Sequence, residues 1–271
     1  MRKVVISFVC IGTLLSCGDS SKKESSEKAE KVLLAFNPEK GTEYNMQYSM
    51  MVHNDTTGDE TKFTIDLLNT VTDNSEKGID VTALFQNIEM KGKLKGIDVS
   101  LKAGDTASSI PEAQLVAAPV FAFQNHSVLF NFNKQFKKLG EKIVDADTIK
   151  ALTGVESKAQ FIAQFPNKEV GVNDTWESGI EIKIGEKKIE KAKFTVVEIS
   201  ETEIKLKVEG AIDGKGNKFG HEFTMKGDFT GEITVDKKTG WQNKSALHIH
   251  FILEMMGNKT PMTQEISYGL K

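Results

Sequence analysis

Apolar and polar residues alternate with a period of two along much of the chain. Phe63, Ile65, Leu67 and Val71 share one face of a run whose other face carries Thr64, Asp66, Thr70 and Thr72. Ile204, Leu206, Val208 and Ile212 alternate with Lys205, Lys207 and Glu209. Phe219, Phe223, Met225 and Phe229 alternate with Glu222, Thr224, Lys226 and Asp228. Leu247, Ile249, Phe251, Leu253 and Met255 alternate with His248, His250 and Glu254. Successive side chains of a strand point to opposite faces, so the pattern predicts antiparallel sheet with one buried and one wet face. Turn-forming stretches at 74–78, 213–217, 237–240 and 257–260 separate the runs. Their glycines and asparagines tolerate the positive φ of tight hairpins, which makes the chain a meander.

The middle of the chain breaks this rhythm. Residues 111–123 are alanine-rich with weak helical spacing, interrupted by Pro119. Residues 145–152 and 156–165 predict short helices, with Asp145 or Asp147 capping the first and Pro166 closing the second. Residues 128–139 predict a strand. Two β-rich stretches, 40–104 and 172–271, flank this middle part. Thr42-Glu43-Tyr44 opens the first and Asp174-Thr175-Trp176 the second, which leaves a duplicated meander as one alternative. The fold class is mainly β, with α+β as the alternative. The expected form is a curved antiparallel meander sheet or incomplete barrel, with two or three short helices inserted mid-chain and covering part of its concave face. A closed barrel is the next alternative.

The N-terminus adds an address. Arg2 and Lys3 precede an apolar run at 4–15, and Leu14-Leu15-Ser16-Cys17 follows. A basic start, a short apolar core and a small residue before the cut describe an export signal. The run is too short to span a bilayer as a mature helix, which takes ~20 apolar residues. The Leu-x-small-Cys ending resembles the lipobox of bacterial lipoprotein signal peptides. That resemblance implies cleavage before Cys17 and acyl chains, of the palmitate kind, on its sulfur. Cys10 is the poorer match because bulky Val9 precedes it. The chain thus divides into a signal peptide (1–16), a lipidated cysteine with a flexible tether (17–31) and a single β-rich domain (32–271). Residues 18–31 hold four basic and four acidic side chains and nothing large and apolar, a composition that cannot offset its ordering entropy. Such a tether has an r.m.s. reach of ~20 Å. The expected location is the cell envelope, lipid-anchored to the outer membrane of a Gram-negative cell, with the domain facing the periplasm or the exterior.

Charge and cysteine content narrow the partners. The net charge is −3 and becomes −5 once Arg2 and Lys3 leave with the signal. Arg2 is the only arginine in the sequence. Phosphate and nucleic-acid recognition lean on arginine's fork and on clustered basic surface, so a nucleic-acid partner is not expected. With Cys17 the only cysteine after cleavage, no internal disulfide is available. Stability must come from burial, for which the 240 residues from 32 to 271 suffice.

One segment carries a family resemblance. Phe165-Pro166-Asn167-Lys168-Glu169-Val170-Gly171-Val172-Asn173-Asp174-Thr175-Trp176 resembles an uncharacterised family of exported bacterial lipoproteins that share a Phe/Leu-Pro…Val-x-Val-Gly-Asp-x-Trp segment. Gly41-Thr42-x-Tyr44 and Val235-Asp236-x-x-Thr239-Gly240 support it, and it covers residues 35–271. Asn173 stands where the family usually has glycine, and asparagine tolerates the same left-handed backbone. The resemblance implies no chemistry, because the family has no established activity.

Candidate chemistry is sparse. His248 and His250 share one strand face with Glu254 and form the sharpest candidate metal pair, without an evident third ligand. His221 lies on an apolar face among Phe219, Phe223 and Met225, where it could line a pocket. Gly-x-Ser-x-Gly, His-Glu-x-x-His and helix-borne Ser-x-x-Lys are missing, and Gly214-x-Gly216-x-x-x-Gly220 reads as a hairpin turn rather than a phosphate loop. No catalytic residue and no cofactor is expected, and the protein is read as a non-enzyme. Tyr44, Met46, Tyr48 and Met50 share a strand face, and Met255 and Met256 sit in the last hairpin. Methionine adapts to irregular apolar guests. The expectation is a non-catalytic binding role for an apolar small molecule. An envelope scaffold that holds a protein partner is the alternative.

Overall fold

The alternating runs become strands wherever both of their faces can be satisfied. The computed structural model describes residues 30–105, 111–144, 163–184, 187–218 and 221–271. The export signal, Cys17 and nearly all of the predicted tether lie outside these residues. The chain enters on β1 (Val32–Leu33) and continues through β2 (Glu43–Asn54), β3 (Glu60–Ser75) and β4 (Gly78–Leu94) as successive hairpins. Long β4 pairs on its far side with two short strands, β5 (Ile97–Lys102) and β6 (Ser127–Phe132), and β7 (Lys138–Ile143) follows β6. Helix α1 (Pro111–Phe121) stands between β5 and β6. Two-residue β8 (Glu169–Val170) pairs with β1.

Six long strands complete the chain: β9 (Thr175–Ile184), β10 (Lys187–Ile199), β11 (Glu203–Lys218), β12 (His221–Asp236), β13 (Gln242–Met255) and β14 (Asn258–Leu270). β14 pairs with β2, so the two β-rich stretches fuse into one twelve-stranded sheet. Its order is β7-β6-β4-β3-β2-β14-β13-β12-β11-β10-β9, with β5 beside β4. The order ends at β7 and β9 without closing, so the architecture is a mainly β, open antiparallel sheet and not a closed barrel. Inner-face residues of strands from both ends belong to one buried cluster, from Phe130 on β6 to Phe194 on β10. The sheet therefore curls around its own core, as large twisted sheets do.

Three differences from the sequence pattern have local causes. The run at 128–139 breaks after Phe132, because the Asn133 side chain accepts from the amides of Gln135 and Lys137 and Phe136 takes φ +58°. These bonds turn the chain into the β6–β7 hairpin. The stretch 213–217, expected as a turn, continues β11 as far as Lys218. Gly210 shows how strand glycines are used here: the Phe229 ring lies where a Cβ would stand, at 2.5 Å. Aromatic cover of this kind keeps glycine in a strand. Of the expected mid-chain helices, α1 forms and packs on β4 and β5, while 145–152 lies outside the described residues. Residues 163–165 at the end of the other are not helical, since the Ala163 amide donates to the Gln242 side chain and that of Phe165 to the Gln135 carbonyl.

Candidate functional site

The sheet has two unlike ends. At one end the chain enters at Glu30, which pairs with Lys237 in the β12–β13 turn. The amide of Phe36 donates to the carbonyl of Lys134 at 2.8 Å, and that of Asn37 to the carbonyl of Thr239 at 2.7 Å. Phe36 stacks on Phe136 with ring centres 3.9 Å apart, and Tyr44 stacks on Trp241 at 3.8 Å. Burial pushes the Tyr44 hydroxyl above its ordinary range, with the Thr239 hydrogen bond acting against it.

All three segments that carry the family resemblance meet at this entry end. Asp236 Oδ1 accepts from the Thr239 amide and hydroxyl, both at 2.7 Å, which shapes the turn. Gly240, at φ +69°, lets the Ala35 carbonyl approach to 2.2 Å from where a Cβ would be. Asn173 takes φ +71° and the Gly171 amide donates to Asp174 Oδ2, which turns the chain from β8 into β9. Trp176 Nε1 donates to the carbonyl of Gln164 at 2.8 Å, and its ring stacks on Phe194. These residues clasp the incoming chain. None of them presents reactive chemistry to solvent.

At the opposite end the inner face loosens. Phe223 and Met225 on β12, Leu253 on β13 and Met262 on β14 are only partly buried, and Met255 is 36% exposed. They are neighbours in the register: Phe223 lies opposite Met255, Met225 opposite Leu253, and Phe251 opposite Met262. Met256, in the turn that follows, is 68% exposed. Over the same hairpin ends lies an open hollow of about 830 Å³. Phe223, Met256 and Gly257 line it with Lys215, Lys226 and Lys259. A 16-residue strand such as β12 spans roughly 50 Å, and that length separates this site from the entry end.

Other sequence candidates take different places. Met46, Tyr48 and Met50 are core residues and Tyr44 belongs to the clasp, so none of the four faces a cavity. His248 and His250 do share the wet outer face. His248 Nδ1 lies 3.6 Å from Glu265 Oε1, and His250 Nδ1 lies 3.3 Å from the Thr263 hydroxyl, which donates to Asp55. Glu254 is drawn aside to Lys259 at 3.8 Å. Among the described residues, no group of three or more His, Cys, Asp or Glu side chains is placed to hold a metal ion. A shallow hollow of 340 Å³ lies beside His248 over Ala246 on the outer face. His221 shares the face of Phe223 and Met225 but is exposed at the start of β12. The hollow at the hairpin ends escaped the sequence pattern because its lysines sit on the wet faces of three strands. Its one signal was Met256-Gly257 in a hairpin position where asparagine or aspartate usually precedes the glycine.

Comparison with known proteins adds a family without an activity. Residues 132–242, from the end of β6 to the start of β13, match a family of unknown function (DUF6263). That match includes the 165–176 and 235–240 segments of the clasp. No curated protein matches the sequence. One solved structure, DynF from the dynemicin biosynthesis pathway of Micromonospora chersina, is similar over 90% of this chain and 88% of its own. The identity is 7% and the TM-score 0.23. Among the described residues, no helix is long and apolar enough to cross a membrane.

Proposed function

We propose that this protein is a membrane-anchored lipoprotein of the cell envelope with a non-catalytic binding role, and that it takes an apolar ligand at the hairpin ends of its sheet. The anchor is the acylated sulfur of Cys17, and the tether delivers the domain by its entry end. The observation that carries the binding role is the row of partly exposed Phe223, Met225, Leu253, Met255 and Met262 at the far end of the inner face. Side chains that fill a core are buried to a few per cent, as Leu247 and Ile249 are on the same strand face. Partly wet methionines on that face fit a surface that adapts to a guest.

Two experiments test the two halves. Metabolic labelling with palmitate is expected to mark the wild-type protein and not Cys17→Ala, and equal labelling of both rejects the anchor. An environment-sensitive acyl probe is expected to bind the unacylated protein and to lose affinity in Leu253→Glu. A protein that leaves the probe unbound and shows only its bare mass by native mass spectrometry has no such role.

A further inference from the structure

We infer that the guest of the far end is a single unbranched hydrocarbon chain, laid across the strands from Met225 to Leu94 and ending against Leu115 and Val116 of α1. This rests on the binding role proposed above and adds the shape of the guest and a second wall to hold it. The first observation is a continuous band on the inner face. Met225, Leu253, Met262, Val52 and Leu94 are partly buried and pack on the core. Met225 lies opposite Leu253, and Met262 and Val52 follow on the next two strands, each diagonal to the one before. Val52 lies opposite Thr61 and Thr61 opposite Gly92, and Leu94 stands two residues beyond Gly92. Every one of these side chains is uncharged. Six neighbouring strands spaced about 4.8 Å apart give the band a length of about 24 Å. An extended chain of about eighteen carbons measures roughly 21 Å, at about 1.25 Å of advance per bond. On β2 and β3 the band is one residue pair deep, because Met50 and Phe63 beside it are buried and β2 ends at Asn54. One pair occupies about 7 Å along the strands, too little for a helix of about 10–12 Å diameter.

The second observation is a helix turned inside out. α1 packs on β4 and β5 and buries Ala113, Ala117 and Val120. The face it covers is the inner one, where Met90, Val99 and Leu101 are buried, while Glu89 pairs with Lys91 and Lys102 on the outer face. Its larger residues point away from the sheet, with Leu115 76% and Val116 46% exposed. A helix that only covered the sheet would bury its leucine and valine and show its alanines. Leu115 and Val116 follow Glu112 by three and four residues, so they share its side of the helix. Glu112 pairs with Lys95 at 2.6 Å, in the turn between Leu94 and Ile97, which is 53% exposed. The exposed ridge of α1 therefore stands at the Leu94 end of the band and on the same inner side. A chain lying along the band meets this ridge as its end wall.

The test uses the full chain with Cys17→Ser, which blocks acylation at that position. Its probe is 1-N-phenylnaphthylamine, an uncharged dye that brightens in apolar surroundings, displaced by straight-chain alcohols of increasing length. The displacing concentration is expected to fall about threefold to fourfold per added methylene and to level off at about sixteen to eighteen carbons. Leu115→Glu is expected to bring that plateau about four carbons earlier, with short alcohols displacing the dye as before. Met262→Glu, in the middle of the band, is expected to weaken all lengths. Ile252→Glu, on the outer face of β13, is expected to change none. A plateau that Leu115→Glu leaves in place, or displacement that ignores chain length, overturns the inference and leaves the apolar binding role standing. Absence of dye uptake removes both. Dimers that Leu115→Glu dissolves, in a protein whose dye no alcohol displaces, assign the ridge to a second copy and overturn the inference.

Discussion

The side-chain amide of Asn69 on β3 donates to the hydroxyl of Tyr268 on β14 at 3.1 Å, across the inner face and 199 residues away in sequence. Both residues are buried, and β2 runs between their strands. The bond therefore ties the two β-rich stretches together inside the core. Burial drives the Tyr268 hydroxyl far above its ordinary pKa, with the Asn69 bond acting against it, so the phenol stays neutral. Tyr268→Phe is expected to lower stability by about 1–2 kcal/mol by leaving a buried donor of Asn69 without this acceptor. Urea unfolding of both single variants and of the Asn69→Leu/Tyr268→Phe double variant measures the coupling. A double variant as unstable as the sum of the singles would show that the bond contributes nothing.

Gly240 has no room for a methyl group, because the Ala35 carbonyl occupies its place. Gly240→Ala is expected to destabilise the fold by about 2–4 kcal/mol, through a left-handed backbone and a backbone clash together. The amide of Asn37, bonded to Thr239, should lose hydrogen-exchange protection along with it. Unchanged protection at Asn37 would mean that the clasp does not depend on this approach.

At Asn173 the backbone already sits in the left-handed region. Asn173→Gly is expected to leave the thermal midpoint within error, whereas Asn173→Val lowers stability by about 1–2 kcal/mol through crowding of its branched Cβ. Thermal unfolding of the two variants separates the cases.

Asp66 is nearly buried although it lies on the outer face. Burial alone would raise its pKa, but bonds from Lys271, Gln47 and Asn87 outweigh it and hold the carboxyl below its ordinary value. A depressed folded pKa stabilises the protein above the unfolded value of about 3.9, and that stability is lost as pH falls through the folded value. Wild type is therefore expected to exceed Asp66→Asn most at neutral pH, with the gap narrowing below about pH 4. Urea midpoints from pH 7 to pH 3 report it, and a gap that widens in acid contradicts the assignment.

Much of the sheet was legible, because burial on one face leaves a period-two trace. Phe63, Ile65 and Leu67, and likewise Ile204, Leu206 and Val208, are buried as their alternation requires. The pattern failed where a local bond or a cross-strand ring decided the outcome. Glycines at 214 and 216 look like a loop until the partner strand is in place, with Met225 and Phe223 opposite them. Phe36 sits outside any alternating run, and only the fold shows that it anchors the entry clasp. Asn87 is invisible in the same way: at φ +36° it forms the bulge that shifts β4 by one residue, so that Phe85 and Ile88 both reach the core. The hairpin-end site was half legible. Met256 stands out by type, while Lys215, Lys226 and Lys259 become neighbours only through the β11–β12, β12–β13 and β13–β14 registers.

The clasp also decides how the domain answers a pull on the chain ahead of Glu30. Tension there meets the Glu30–Lys237 ion pair first and then two short contacts, Val32 opposite Val170 and Leu33 opposite Glu169. These open in succession, as a zip does. The load then reaches Phe36, wedged beside Phe136 and fastened by its own amide, while the long strands behind it are joined edge to edge over their whole length. A tug therefore frees a few residues of slack and stops at an aromatic knot, leaving the far hairpins undisturbed.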